Sequence, residues 1–257
     1  MKSAIAFFST LAALSFASAQ TPTQKISFRP SGVETKDAVI FSRKDAVAKN
    51  YGGDLRFYAA TWTWNNDNLG QGTFRSLIQF DMGLVPKGAE IVSAKLRLYH
   101  DTTGFTKGHS SLSASNAAWL LRVKQAWAES TVTWENQPAT DTAGRAVLPQ
   151  SSDSLKNYGV DVTAMVRGML SDSIGNHGFL LRTIEEKPYN ALVFASGDND
   201  DVSYEPMLEV EFKEAPTALR APGASSTIRV RIGKGGAAMK WGFGGGEYDA
   251  RGGLVRP

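Results

Sequence analysis

The sequence of 257 residues contains no cysteine. This absence excludes disulfide scaffolds, cysteine nucleophiles, thiolate zinc sites and iron–sulfur clusters. Hydrophobic residues make up 42% of the chain and charged residues 21%, a balance that disfavours disordered and fibrous proteins. The chain is therefore predicted to form one or two globular units that are held together by packing or by an oxygen-ligated metal.

Long apolar runs are also missing, except near the N-terminus. There, Lys2 precedes an apolar segment at 4–17, and Ala17-Ser18-Ala19 is typical of a cleavage site, which predicts a secretory signal peptide over residues 1–19. A membrane anchor is the alternative, but the apolar segment is shorter than the ~20 residues that a spanning helix needs. We expect a protein without a membrane span that is secreted, extracellular or located at the cell surface.

The net charge of +3 is distributed unevenly along the chain. Residues 213–257 contain eight Lys and Arg against three Asp and Glu, together with ten glycines. The C-terminal segment thus carries a net charge of +5 and Lys2 carries +1, which leaves a net charge of −3 for residues 20–212. A mildly acidic body argues against a nucleic-acid partner. The C-terminal segment is predicted to be a Gly-rich basic tail with too few apolar residues for a core of its own.

Short strands separated by polar turns fill most of the remaining sequence. Several strands alternate with period two, as where Ala94, Leu96 and Leu98 face one way and Lys95 the other. Such strands have one face on the core and one in water. Without βα alternation, this pattern predicts an all-β fold, a two-sheet antiparallel β-sandwich of jelly-roll type. The predicted strands are Asp37–Phe41, Leu55–Ala60, Phe74–Asp81, Ile91–His100, Ala117–Lys124, Gly178–Thr183, Ala191–Ser196 and Met207–Phe212.

One short helix and three irregular segments complete the predicted fold. Apolar residues recur at helical spacing over 162–170, with Asp161 or Thr163 as the expected N-cap. Loops are predicted over 61–72, 101–116 and 135–157. The predicted domain order is a signal peptide (1–19), a lead-in (20–36), the β-sandwich (37–212) and the basic tail (213–257).

Catalytic motifs are scarce in this sequence. There is no G-x-S-x-G elbow, H-E-x-x-H pair or P-loop. His100, His109 and His177 are scattered, and each is expected at the surface rather than as a base or ligand. Residues 233–238 match a dinucleotide fingerprint, but the 19 residues that follow cannot complete a βαβ unit. We therefore predict that the protein is not an enzyme. A catalytic role, as a polysaccharide lyase or hydrolase, is a third hypothesis beside two non-catalytic ones.

Two of the six tryptophans suggest a binding surface. Trp62 and Trp64 are two apart, so on a strand they would project from the same face, next to Asn65, Asn66 and Asp67. Aromatic rings beside amide and carboxylate groups suit sugar binding, because CH groups stack on the ring while polar groups bond hydroxyls. The alternative is a pair at the rim of the core under a long loop. Trp127 and Trp134, which have apolar neighbours, are predicted to be core residues.

A cluster of oxygen ligands follows a predicted strand at 197–201. Asp198, Asp200 and Asp201 are carboxylates of the kind that Ca²⁺ prefers, which suggests a structural calcium site. The segment lacks the spacing of an EF-hand loop. A solvated turn between two strands is the alternative.

Eight blocks of sequence follow one another between residues 37 and 212. The blocks are Asp37-Ala-Val-Ile, Asn50-Tyr-Gly-Gly, Arg75-Ser-Leu-Ile-Gln-Phe-Asp81, 85–99, Trp127-Ala-Glu-Ser-Thr-Val-Thr-Trp134, Asp161-Val-Thr163, Phe194-Ala-Ser and Pro206-Met-Leu-Glu-Val-Glu-Phe212. In this order they resemble a known family, the DNRLRE domain. The resemblance implies a jelly-roll β-sandwich of secreted and cell-surface bacterial or archaeal proteins, often appended to polysaccharide-active enzymes. Some relatives are classed as carbohydrate-binding modules, with acidic polysaccharides such as alginate among their ligands.

The leading functional hypothesis is a secreted, non-catalytic carbohydrate-binding module. Trp62 and Trp64 would stack on the sugar rings of a polysaccharide or cell-envelope glycan, and the polar residues after them would orient hydroxyl groups. If the polymer is acidic, its carboxylates would pair with exposed basic residues. The alternative is a structural or adhesive cell-surface protein, with the sandwich as spacer and the basic tail docked to an anionic envelope. The basic residues considered for the pairing are Arg56, Arg75, Lys95 and Arg97.

Overall fold

The computed structural model of the protein describes residues 22–30, 35–214, 241–243, 246–248 and 254–256. The predicted signal peptide at 1–19 lies outside the described residues. The chain divides into two compact units, Met1–Ala215 and Pro216–Pro257. In the described ranges, no helix has the length and hydropathy to cross a membrane.

In its described residues, the first unit consists of twelve strands, one α-helix and two single-turn 3-10 helices at Asn65–Asp67 and Val202–Tyr204. The eight predicted strands are all present, although their ends move by up to a few residues. In chain order the elements are β1 (Thr23–Phe28), β2 (Thr35–Phe41), β3 (Arg56–Trp64), β4 (Gly70–Phe80), β5 (Glu90–Leu98), β6 (Ser110–Ser111), β7 (Ala118–Val123), β8 (Thr140–Leu148), β9 (Tyr158–Asp161), α1 (Thr163–Ser171), β10 (Phe179–Thr183), β11 (Asn190–Ala195) and β12 (Met207–Lys213).

These strands form two antiparallel sheets. One sheet has four strands in the order β1-β12-β5-β9. The other has eight strands and is curled; its neighbours are β6-β11-β3-β4-β10-β7-β8, and β2 also pairs with β4. The predicted all-β, two-sheet antiparallel sandwich of jelly-roll type with one short helix is therefore confirmed.

The main core lies between the two sheets and is rich in fully buried aromatic rings, among them Phe57 of β3 and Phe194 of β11. Alternate residues of a strand point to opposite faces. Tyr58 and Ala60 therefore lie on the other face of β3, where they form a separate apolar cluster with Val193 and its neighbours. The curled sheet thus has apolar groups on both faces near β3.

A second apolar cluster, outside the main core, contains Trp127 and Trp134. Trp127 is buried and packs with Leu77, Leu121 and Leu180, while Trp134 is partly buried against the same cluster. The prediction that Trp127 is a core residue is confirmed, whereas Trp134 lies only partly buried at the edge of this cluster.

Strand β4 changes its pairing partner along its length, which curls the larger sheet. Residues 70–74 pair with β3, whereas residues 76–78 pair with β10. Ser76 lies at this change: its Oγ accepts a hydrogen bond from Tyr58 N (2.7 Å) and donates one to Tyr58 O (2.8 Å). The serine hydroxyl therefore substitutes for the backbone ladder where β3 separates from β4.

The predicted helix is present as α1, but its N-terminal capping differs from the prediction. Val162 occupies the N-cap position without a side-chain cap hydrogen bond. Asp161 instead accepts bonds from Thr163 N (2.9 Å) and Thr163 Oγ1 (2.6 Å), which fixes the entry to the first turn. Met165 and Met169 bury the apolar face.

All three predicted loops contain regular structure. The segment 101–116 includes the two-residue strand β6, which pairs with β11. The segment 135–157 includes β8, which pairs with β7, and the segment 61–72 is the tip of a β-hairpin made by β3 and β4. The lead-in at 20–36 includes β1, which pairs with β12 along its whole length.

The second unit contributes three short strands to the described structure. They are β13 (Trp241–Phe243), β14 (Gly246–Tyr248) and β15 (Leu254–Arg256), and they pair as one antiparallel sheet. The expectation that the basic tail at 213–257 has no core of its own stays a prediction.

Candidate functional site

Trp62 and Trp64 lie on the last residues of β3, in the hairpin that this strand makes with β4. They pair with Gly72 and Gly70, and a side chain at Gly72 would collide with the Phe41 ring, since a Cβ there would be 2.4 Å from it. The turn is closed by Asn68, which has a left-handed backbone (φ 54°). The residues opposite the indoles therefore carry no side chains, which leaves space for the rings.

The two indoles belong to a partly exposed group that we call the outer aromatic cluster: Trp62, Trp64, Phe105 and Tyr189. The centroid of the Trp62 ring lies 5.4 Å from that of Phe105 and 5.1 Å from that of Tyr189. Both indoles are half-buried, whereas Phe105 is 43% exposed and Tyr189 36% exposed. Each indole therefore packs against neighbouring rings with part of its surface and is exposed to solvent with the rest. Both interpretations of Trp62 and Trp64, as a sugar-binding surface and as a pair at the rim of the core, apply in part.

A layer of buried and partly buried rings supports this cluster from below. Trp64 contacts Phe41 edge-to-face at 5.2 Å, and Phe41 stacks on Phe74 at 3.8 Å with an interplanar angle of 6°. Tyr58 packs against both Phe74 and Phe105. The position of Trp64 is therefore fixed by rings of neighbouring strands rather than by its own turn.

His109 anchors the loop that carries Phe105. The prediction that this histidine lies at the surface is wrong: its side chain is 6% exposed. Its Nδ1 accepts a bond from Val193 N (2.9 Å), and Nε2 donates one to Lys156 O (2.7 Å). These bonds define a neutral ring with the proton on Nε2. Burial lowers the pKa of His109, which also favours the neutral form. The neutral ring fixes the loop against β11.

Polar and cationic groups surround the outer aromatic cluster. Thr63 and Tyr189 share a hydrogen bond between their hydroxyl groups (2.9 Å). Asn65 and Asp67 are exposed at the hairpin tip, and the side chain of Asn66 lies outside the described part of the structure. The Arg43 guanidinium lies 4.9 Å from the Trp64 ring centroid. The site therefore combines apolar ring surface with hydroxyl, amide, carboxylate and guanidinium groups.

The basic residues that were expected to pair with an acidic polymer do not belong to the outer aromatic cluster. Arg56 pairs with Asp54 and approaches the buried Tyr58 ring. Arg97 pairs with Glu209, and it belongs with Lys95 to β5 of the four-stranded sheet. Arg75 follows Phe74 on β4 and so points to the opposite face.

Sequence reasoning missed four residues around the indoles: Phe105, Tyr189, Arg43 and Lys44. Lys44 donates from Nζ to Asn68 O at the hairpin turn (2.6 Å). Only the pairing of β2, β4, β3 and β11 brings these residues together. The one available signal was the Arg43-Lys44 pair directly after a predicted strand.

The predicted calcium ligands lie in a turn after β11. Asp201 Oδ1 accepts bonds from Ser203 N (3.0 Å) and Ser203 Oγ (2.6 Å), and these bonds lower the pKa of Asp201. Asp198 and Asp200 are exposed, although partial burial raises the pKa of Asp198. Within the described residues, no three His, Asp or Glu side chains are placed to hold a metal ion together. Calcium at Asp198, Asp200 and Asp201 stays a prediction.

A buried carboxyl group connects this turn to the larger sheet. Asp37 of β2 is 3% exposed; its Oδ2 accepts a bond from Gly197 N (2.7 Å), and its backbone N donates to Glu129 Oε1 (2.9 Å). Burial raises the pKa of Asp37 to about 8, and the nearby charges of Asp198 and Glu129 add to the increase. Asp37 is therefore protonated at neutral pH.

Comparison with known families identifies the sandwich. The family model described as carbohydrate-binding module family 96 matches residues 32–211, which span both sheets and the outer aromatic cluster. A comparison with curated proteins found no match. The match supports the carbohydrate-binding character that the resemblance implied, while the DNRLRE name stays a prediction. Modules of this kind bind carbohydrate and are typically non-catalytic. The chain belongs to carbohydrate-binding module family 96.

Proposed function

We propose that the protein is a secreted, non-catalytic carbohydrate-binding protein that holds an acidic polysaccharide at the outer aromatic cluster. The observation that carries this proposal is the solvent-facing group of Trp62, Trp64, Phe105 and Tyr189 within the matched region. Glycan sites combine such rings with a few fixed polar groups. Secretion is supported by the signal-peptide pattern at residues 1–19.

The rings would supply the apolar part of recognition. The faces of sugar rings carry CH groups that stack on indole, and burial of that surface stabilises the complex by roughly 25 cal/mol per Å². Trp64 is held from below by Phe41 and Phe74, and Trp62 packs against Phe105 and Tyr189, so little side-chain entropy is lost when a sugar binds. The hydroxyl group of Tyr189, which Thr63 holds by a hydrogen bond, would bond a sugar hydroxyl beside the Trp62 ring.

The acidic character of the ligand is proposed from the cations beside the indoles. Arg43 lies over Trp64, and the adjacent Lys44 is exposed. Asp45 already accepts two hydrogen bonds from Arg43, at 2.6 and 3.0 Å, so part of that charge is compensated. Among the described residues, Lys44 forms no salt bridge, and its charge at the rim is uncompensated. A carboxylate of the polymer would meet it in a solvent-exposed, salt-sensitive contact.

Affinity electrophoresis and tryptophan fluorescence test the proposal. The purified protein is compared with the variant carrying Trp62→Ala and Trp64→Ala in gels containing alginate, polygalacturonate or a neutral β-glucan, with CaCl₂ or with EDTA. We expect retention by an acidic polymer, and at least about a tenfold loss of affinity in the variant, since two ring platforms are removed.

The matched control is Tyr204→Ala, which removes another partly exposed aromatic ring from a different turn. It should leave retention unchanged. Equal retention of all three proteins would contradict the binding role of Trp62 and Trp64. No retention by any polymer would favour the structural cell-surface protein instead.

A further inference from the structure

A second group of aromatic and cationic side chains lies on the curled sheet, and we call it the Arg–Trp face: Arg75, Trp119, Trp134, Arg145 and Arg182. The Arg75 guanidinium lies 4.4 Å from the Trp134 ring centroid. Those of Arg145 and Arg182 lie 4.8 and 5.7 Å from the Trp119 ring. Each tryptophan of this face therefore contacts at least one arginine.

The Arg–Trp face and the outer aromatic cluster occupy opposite faces of strand β4. Phe74 contacts Trp64 of the outer aromatic cluster at 5.9 Å, whereas the next residue, Arg75, contacts Trp134. Consecutive residues on a strand point in opposite directions. A ligand that lies on one of these surfaces therefore leaves the other free.

The Arg–Trp face reaches solvent at the edge of the sheet. Trp119 pairs across the strands with Arg182 on one side and with Val147 on the other. Strand β8 is the last strand of its sheet; Val147 is 53% exposed and Arg145 is exposed. An apolar side chain beside a half-buried indole at a sheet edge is the kind of surface that a ligand covers.

The charge of this face is positive. Glu186 accepts two hydrogen bonds from Arg75, at 2.8 and 3.0 Å, and lies 3.3 Å from Arg182. Burial lowers the pKa of Arg182; Glu186 opposes this effect, and the charge of Arg75 adds to it. Glu186 therefore compensates part of the charge of Arg75 and Arg182, while Arg145 donates to the backbone oxygen of Thr142 (3.0 Å) and forms no salt bridge among the described residues. A further anion would relieve the repulsion.

We propose that the Arg–Trp face is a second glycan-binding surface, which takes the carboxylate of an acidic sugar at Arg145 and Arg182 and packs the sugar ring against Trp119 and Val147. This inference rests on the proposed function and extends it. Guanidinium groups bind carboxylates with paired hydrogen bonds, and the indole supplies the apolar contact that a sugar ring needs. The module is then bivalent, because its two surfaces face opposite ways and each holds a different stretch of polymer.

Cross-linking of a polymer tests bivalency directly. The probe is sodium alginate, and the control polymer is alginate whose carboxyl groups have been reduced to alcohols. Retention in alginate gels measures binding, while light scattering of dilute alginate with the purified protein measures cross-linking. Arg145→Glu changes the proposed second surface, the pair Trp62→Ala and Trp64→Ala changes the first, and Lys87→Glu is an exposed control with the same change in charge.

We expect the wild-type protein and Lys87→Glu to raise light scattering with alginate, and neither to do so with the reduced polymer. Arg145→Glu should lose the scattering increase and weaken retention by about tenfold, since it removes a charge-assisted contact. It should still bind through the outer aromatic cluster. Unchanged near-ultraviolet circular dichroism of Arg145→Glu verifies that the fold is intact.

Four other outcomes separate this inference from the proposed function. If Arg145→Glu and Lys87→Glu behave alike, the second surface is wrong while the first stands. If the wild-type protein binds without scattering, bivalency is wrong. If the Trp62 and Trp64 variant retains full binding and only Arg145→Glu loses it, the Arg–Trp face is the glycan site and the proposed site is wrong. No retention of wild-type protein in alginate overturns this inference, and the proposed function is overturned as well if polygalacturonate also fails to retain the protein.

Discussion

Replacement of Asp37 by asparagine is expected to remove a pH dependence from the stability of the protein. The side chain is 3% exposed, and burial, together with the charges of Asp198, Glu129 and Asp54, raises the pKa of Asp37 to about 8. In the unfolded chain the pKa is close to the ordinary value of 3.8. Between these two values, folding binds a proton at this carboxyl group.

The sign and size of the effect follow from this difference. Because the folded-state pKa is raised, the free energy of unfolding decreases as the pH rises from about 4 to about 8, by up to about 1.4 kcal/mol per pH unit. Between about pH 6 and about pH 8 the limit is about 3 kcal/mol. Asparagine keeps an acceptor for the Gly197 N–H and carries no ionisable proton. The Asp37→Asn variant should therefore lose this part of the slope.

Urea unfolding followed by tryptophan fluorescence, repeated at several pH values, measures both slopes. Asp81→Asn is the control, since Asp81 is exposed and its carboxylate accepts a bond from Gly83 N (2.8 Å), which an amide oxygen can also accept. The control should keep the wild-type slope. If the slopes of wild-type protein and Asp37→Asn coincide, Asp37 is ionised in the folded state and the reasoning is refuted.

Two further substitutions test the backbone of the larger sheet. Ser76→Ala leaves both backbone groups of Tyr58 without the serine hydroxyl, so urea unfolding should show a loss of about 2–4 kcal/mol, and a loss below about 1 kcal/mol would contradict the role of this hydroxyl. Gly178→Ala combines a φ of +78° with a Cβ 2.1 Å from Ile78 O, whereas Gly144→Ala has a φ of +68° and open space. Thermal melting should show a loss of about 3 kcal/mol or more for the first and about 1 kcal/mol for the second. Similar losses for both would show that the backbone at Gly178 moves to admit the methyl group.

Strands with one face on the core were predictable from the sequence. In β5 and β12, apolar residues alternate with charged residues because one face meets the main core and the other meets water. β8 and β1 were not predicted. Most of their residues are exposed, so these strands are held by backbone hydrogen bonds and show no alternating apolar pattern in the sequence. The pattern that predicts a strand is a pattern of burial, and edge strands have little of it.

The candidate site was predictable only in its local part. The spacing of Trp62 and Trp64 indicates a shared face, because side-chain direction depends on neighbouring residues alone. Their partner Tyr189 could not be found in this way: its hydroxyl contact with Thr63 joins positions 126 residues apart. His109 was placed wrongly because its two backbone partners come from distant segments, so nothing near it in the sequence indicates burial.

The pairing of β1 with β12 has a mechanical consequence. Thr23, which begins β1, lies across from Lys213, which ends β12, so the two ends of the sandwich emerge side by side. Tension applied between these ends would load one hydrogen bond at a time rather than the whole ladder together. β1 should then peel off progressively at low force, from Thr23 towards Phe28, and expose the edge of β12 before the remaining sandwich yields.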